Sequence, residues 1–185
     1  MATNRALLTA EDYFARPAGD DDQLYELMDG ELMVRPAPVP LHQRIIGNLY
    51  VLLRAHVREH GMGEVFLSPI AVVLSGTSVV IPDLVYVAAD RTGLVTTRAI
   101  EGTPTLLIEV SSPSTRHLDR RRKFELYARH GVPYYWMVET DERGIDAYEL
   151  TSGAYRLTVR ASGDEPVTVP PFPELSFAPQ SLWRA

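Results

Sequence analysis

Two apolar runs of this chain each carry one acid where a buried strand should carry none. Asp83 stands in VVIPDLVYVAAD and Glu109 in PTLLIEVSSPST. Aspartate and glutamate are almost never fully buried without a partner. A buried carboxylate is costly unless it is paired or binds a cation. Lys123 follows on a helical stretch. Two carboxylates on strands that pack side by side, with a lysine behind them, have the make-up of a metal-dependent phosphodiesterase site. Mg²⁺ is usually held by one or two carboxylates together with waters and substrate phosphate. Such an ion polarises the phosphate and lowers the pKa of a bound water. A lysine suits the steadying of a developing oxyanion or the deprotonation of that water. The same residues admit a plainer reading, in which each acid sits at a strand end in water.

Asp119, Lys123 and Tyr127 recur every fourth residue, so they share one helix face. That face reads either as part of the site or as an exposed polar row. Arg116, Arg120, Arg121, Arg122 and Lys123 form the one dense basic segment. It is a candidate phosphate-contacting face, or ordinary solvated helix charge paired with Asp119 and Glu125.

Composition narrows the field. The chain has 185 residues, a length that suits one compact domain, and its 45% hydrophobic content is enough for a full core. There is no cysteine, which excludes disulfides and cysteine-ligated metal centres. No apolar run reaches the roughly 18 residues of a membrane span. The first residues, MATNRALLTAEDYF, lack the apolar segment of a signal peptide. The expectation is a cytoplasmic protein without membrane association. The net charge of −6 argues against non-specific coating of nucleic acid, yet leaves room for a local basic cleft.

The elements that must position these residues follow from pattern and punctuation. Thr9 caps a short helix that Pro17 and Gly19 stop. Asp20, Asp21 and Asp22 read as a solvated loop. Leu24–Met28 and Glu31–Val34 flank Asp29-Gly30, a type I′ turn signal, and form a hairpin. Pro36, Pro38 and Pro40 hold the chain extended. From Leu41 to His60, Ile45, Leu49, Leu52, Leu53 and Val57 fall at helical spacing, and Gly61 and Gly63 end the helix. His42 stands in its first turn. Val65–Ser75 and Val79–Ala88 read as two antiparallel strands, with Pro82 marking a bulge beside Asp83. Asp90–Thr103 reads as a loop with one helical turn. Thr105–Val110 reads as a central strand, His117–His130 as a helix and Tyr134–Glu139 as a strand. Gly144–Leu150 and Ala154–Arg160 form a hairpin. The proline-rich tail from Asp164 should be irregular, with Phe172, Leu175, Phe177, Leu182 and Trp183 holding it to the body. The sum is an α/β domain with a mixed β-sheet flanked by helices. It comprises an N-terminal helix and hairpin over 1–40, a core over 41–140, and a hairpin and tail over 141–185.

Taken together the motifs resemble the Uma-type family of restriction-endonuclease-like proteins, a bacterial group with a nuclease fold of the PD-(D/E)xK class. The resemblance rests on Tyr25-Glu26-Leu27-Met28-Asp29-Gly30-Glu31-Leu32, His42-Gln43, Pro82-Asp83, Leu107 through Thr115, Asp119 with Lys123, Tyr127, Gly131-Val132 and Tyr135-Trp136. It implies a restriction-endonuclease-like core and a Mg²⁺- or Mn²⁺-dependent endonuclease acting on DNA. Asp83 and Glu109 would be the metal-binding acids, and the carbonyl of Val110 a further ligand. Lys123 would act as a catalytic residue and Glu31 as a further member of the site. His42 would open the helix bordering the cleft, and with Arg116, Arg120 and Arg121 it would contact DNA. A homodimer is expected because such nucleases often cut the two strands as pairs. The sequence departs from the motif at Ser111, where lysine is usual two residues after the acid, and Lys123 would replace it. Tyr134 and Glu139 also depart from the family's usual residues. The alternative is a non-catalytic nucleic-acid-binding or assembly module on the same fold.

Overall fold

The computed structural model describes residues 7–16, 23–35, 37–111 and 119–185. Helix α1 (Ala10–Ala15) is capped by Thr9 in a reciprocal capping box with Asp12. Strands β1 (Leu24–Met28) and β2 (Glu31–Arg35) pair antiparallel across Asp29 and Gly30. Both turn residues have positive φ, 53° and 80°, as a type I′ turn requires. Helix α2 (Pro40–Glu59) begins with its proline at the first turn, where no amide hydrogen is needed. The acidic loop at Asp20–Asp22 lies outside the described residues.

The two strands expected over Val65–Ser75 and Val79–Ala88 are each broken in the middle. They form β3 (Gly63–Leu67) with β4 (Val72–Ser75), and β5 (Ser78–Val80) with β6 (Leu84–Ala88). Pro69 and Pro82 fall in the two gaps, and a residue without an amide hydrogen cannot continue a ladder. The halves part into different sheets: β3 pairs with β6, and β4 with β5, both antiparallel. Pro82 therefore marks a change of sheet rather than a bulge. Asp83 sits at the bend just before β6.

A 3-10 turn (Ala89–Leu94) leads to a short strand that the sequence pattern missed, β7 (Ile100–Glu101). Strand β8 (Leu106–Ser111) follows. The helix expected over His117–His130 is described from a π-helical turn (Asp119–Lys123) that runs into α3 (Phe124–Arg129). Strand β9 (Tyr134–Glu139) lies parallel to β8, as a strand–helix–strand crossover allows. Strands β10 (Gly144–Thr151) and β11 (Ala154–Ser162) form the expected hairpin. The tail is more regular than expected, with β12 (Val167–Val169) paired to β13 (Phe172–Phe177) and a 3-10 turn over Pro179–Trp183.

The single sheet expected from the pattern is thus two mixed sheets and a ribbon. The six-stranded sheet has the order β11-β10-β9-β8-β6-β3, and the five-stranded sheet β2-β1-β5-β4-β7. Alternation along the central strands sorts their side chains onto two faces. Leu84, Tyr86, Leu106, Ile108, Trp136 and Val138 pack under α2 and the tail. Val85, Val87, Leu107, Tyr135 and Met137 pack instead against Met28, Val72, Val80 and Ile100 of the second sheet and Leu126 and Tyr127 of α3. Glu109 alternates with Ile108 and Val110, so it falls on this second face.

The tail closes the first face. Phe172 is fully buried, with its ring centroid 4.9 Å from Tyr86 and 5.9 Å from Trp136, and the Trp136 indole N–H donates to the Pro170 carbonyl. Phe172→Ala is expected to lower stability by about 3–5 kcal/mol, read as a shift of the urea unfolding midpoint with an unchanged m-value.

Candidate functional site

The site lies at one end of the layer between the two sheets, where five elements deliver charged side chains. Strands β6 and β8 pair as far as Leu84 and Ile108. Beyond that point the chain has turned away at Pro82. The Val110 amide, which would continue the ladder, donates instead to Asp83 Oδ2 at 2.8 Å. The carboxylate of Asp83 is thereby fixed beside the Glu109–Val110 segment. Two further side chains hold it: Arg35 Nη2 lies 2.9 Å from Oδ1, and His42 Nε2 lies 3.2 Å from Oδ2.

Glu109, at 0% exposure, accepts two hydrogen bonds on one oxygen. Lys123 Nζ stands 2.9 Å from Oε1, and the Tyr127 hydroxyl donates to the same atom at 2.7 Å. Lys123 is itself 1% exposed and lies 3.1 Å from a second acid, Glu26 Oε1. Glu26 also accepts the Ile81 amide at 2.7 Å, while Arg35 donates to the Ile81 carbonyl. The peptide flanking Pro82 and Asp83 is thus clamped from both sides by residues of the β1–β2 hairpin.

These groups set one another's ionisation. Burial opposes the charge on Asp83, but the hydrogen bond from His42, the guanidinium of Arg35 and the Val110 amide outweigh it and bring its pKa down to about 2. Burial also opposes the charge on Arg35, and Glu109, Asp83 and Glu26 together raise its pKa beyond the ordinary value. Burial and the neighbouring Glu109 carboxylate push the Tyr127 hydroxyl well above its usual range, so it remains a donor.

Asp83, Glu109 and Lys123 therefore converge, and Lys123 does so from the helix. Ser111 donates at 2.8 Å to Glu139 Oε2, its neighbour in the parallel register. Two other expected residues are placed differently from their expected roles. Glu31 shares the inward face of β2 with Met33 and Arg35, but it lies at the turn end of the hairpin. There it is exposed and pairs with Arg122 at 2.7 Å. The hairpin acid inside the site is Glu26, two residues before the buried Met28 on the same face of β1. His42, expected to contact DNA, is 8% exposed and spent on Asp83, because its turn of α2 faces the sheet. Arg121 is exposed as expected. Arg116 and the side chains of Asp119 and Arg120 lie outside the described residues. The Lys123 ammonium meets two acids, Glu26 and Glu109.

The donor set suits a hard divalent ion. Asp83 and Glu109 offer two carboxylate groups on adjoining segments, and the Val110 carbonyl belongs to the same stretch. Among the described residues no group of three or more His, Asp or Glu side chains is gathered to hold a metal. A site of this kind fits Mg²⁺, which keeps several waters, better than an ion that demands a full protein cage. Positive charge already stands against both carboxylates, supplied by Arg35 and Lys123.

The fold is that of a nuclease-like α/β domain. The family model Uma2, described as "Putative restriction endonuclease", matches residues 10–180, and the chain belongs to that family. A solved structure from Anabaena variabilis ATCC 29413, described as a "putative nuclease belonging to DUF820", superposes with a TM-score of 0.77 at 20% identity, covering 95% of this chain and 97% of the other. At that identity the likeness concerns the fold. No curated protein matches. Among the described residues no helix is long and apolar enough to cross a membrane.

The depressed pKa of Asp83 has a stability consequence of definite sign. A carboxyl that is harder to protonate when folded adds stability above its unfolded pKa, and that stability is lost as pH falls through the folded value. For Asp83 the window runs from about pH 4 down to about 2, and the contribution at neutral pH is roughly 2 kcal/mol. Urea unfolding of the wild type and Asp83→Asn across this range should give curves that converge at the acid end.

Proposed function

We propose that this protein is a Mg²⁺- or Mn²⁺-dependent endonuclease that hydrolyses phosphodiester bonds of DNA. The observation that carries the reading is the arrival of Lys123 from the helix at Glu109, 2.9 Å away. It supplies the cation that the motif would place at Ser111, beside two acids on adjoining segments. Asp83, Glu109 and the Val110 carbonyl would hold the ion, which when bound supplies Lewis-acid polarisation and a water of lowered pKa.

The chain's own groups divide the remaining work. Lys123 carries three donors on a flexible stem, so it can turn from a glutamate to a phosphate oxygen and steady the charge that develops there. Tyr127, kept protonated, holds Glu109 in one orientation. Arg35 and His42 hold Asp83 ionised and in place. Arg121, exposed on the helix, would contact the DNA backbone, and the sequence assigns Arg116 and Arg120 the same role. A homodimer would place two such sites against the two strands.

A second reading is favoured by one feature of the site. Its carboxylates are already neutralised by Arg35 and Lys123, which suits a nucleic-acid-binding or assembly module without turnover. Metal titration separates the two. A nuclease should gain thermal stability with Mg²⁺ or Mn²⁺ through linkage and lose that gain in Asp83→Ala. A module without turnover should melt at the same temperature with and without the ion.

Plasmid nicking in the presence of either metal tests the reading directly. Asp83→Ala, Glu109→Ala and Lys123→Ala should each lose on the order of 10²-fold or more in rate. Lys123→Arg should also be poor, because a planar guanidinium of high pKa does not trade protons near neutral pH. Wild-type activity in Lys123→Ala would reduce the lysine to a packing element.

A further inference from the structure

Lys123 stands between two buried glutamates, 2.9 Å from Glu109 and 3.1 Å from Glu26. The two acids differ in what else they touch. Glu109 lies on β8 beside the Asp83–Val110 contact, where a divalent ion would be held. Glu26 reaches in from the opposite sheet, and its bonded oxygen is fixed by the Ile81 amide as well as by the ammonium. We infer that Glu26 is a positioning residue for metal binding: it does not contact the ion, but acts through Lys123, keeping a counter-ion for the ammonium when Glu109 turns to the divalent cation. The inference rests on the metal-dependent reading above.

The physical argument concerns what happens to the displaced charge. A divalent cation arriving at Glu109 competes with the ammonium for the same oxygens. Losing Glu109 takes a carboxylate partner from a charge with 1% exposure. Stranding one member of a buried pair is strongly unfavourable. With Glu26 in place the ammonium stays compensated throughout. It also stays in the site, where the proposed chemistry would need it. Glu26 thus lowers the barrier to loading the ion and keeps the lysine from leaving the site.

A double-mutant cycle on Mn²⁺ affinity, measured by calorimetry with the full chain, tests this without reading activity. The proteins are the wild type, Glu26→Gln, Lys123→Met and the double variant. Glutamine keeps an acceptor for the Ile81 amide and removes only the charge. Glu26→Gln should weaken Mn²⁺ binding on the order of tenfold, the scale of outer partners at metal sites. Lys123→Met removes the competitor and should tighten it. In the Lys123→Met background, Glu26→Gln should change the affinity by less than about twofold. Equal weakening in both backgrounds would show Glu26 to be a direct ligand and overturn the inference. So would unchanged affinity in Glu26→Gln. A wild type that binds no Mn²⁺ would remove the metal-dependent reading itself, and the inference with it. Should Glu26→Gln fail to fold, as read by its urea transition, Glu26→Asp replaces it in the same cycle. It keeps the charge on a shorter stem, should weaken binding less, and should again be silent with Lys123→Met.

Discussion

Charge that has almost no access to water must be balanced locally, and that constraint shapes this molecule around its site. Glu26, Asp83 and Glu109 are each at most 2% exposed. Each is tolerable only because Arg35, His42, Lys123 and Tyr127 meet it at hydrogen-bond distance. Removing a cation from this set leaves buried carboxylate charge less well compensated, which can cost more than the pair itself contributes. The elements that bring these residues together are therefore held in register by electrostatics as well as by apolar packing. The hairpin gives Glu26 and Arg35, α2 gives His42, and the broken second strand gives Asp83. Strand β8 gives Glu109, and the helical segment after it gives Lys123 and Tyr127.

This arrangement also explains why two sheets are needed. A single sheet would leave the face bearing Glu109 either to solvent or to one helix. Breaking the strands at Pro69 and Pro82 sends half of each into a second layer, which carries the hairpin across the site. The break exposes the Val110 amide to the Asp83 side chain, so the same discontinuity that divides the sheet creates the bond that orients the acid.

Much of this was legible in the residues. Asp83 and Glu109 announced themselves as single acids in apolar runs, and the helical spacing placed Lys123 and Tyr127 on one face. Glu26 carries the same signal, one acid within Leu24-Tyr25-Glu26-Leu27-Met28, and the criterion applied to the other two would have found it. Glu31 drew attention through its motif instead, but a residue next to a turn lies at the rim of a hairpin whichever face it occupies. Arg35 was harder to see, because its partner Asp83 is far along the chain and only the folded hairpin points at it. The division into two sheets was hidden for a related reason. A proline within an apolar run signals a break, but not where each half goes; that depends on which partner strand each half meets.

The order in which the charges occur along the chain has a consequence for biosynthesis. Glu26, Asp83 and Glu109 are all synthesised before Lys123. A nascent polypeptide ending short of residue 119 holds three acids and lacks the ammonium that two of them require. Its strands can assemble locally, but the layer between the sheets cannot close without burying glutamates that have no ammonium beside them. Completion of that layer must wait until the helical segment has left the ribosome. The catalytic lysine proposed here is thus also the last-made of the basic groups that meet the buried acids, after Arg35 and His42, so an unfinished chain lacks both that compensation and the group that would act on a phosphate.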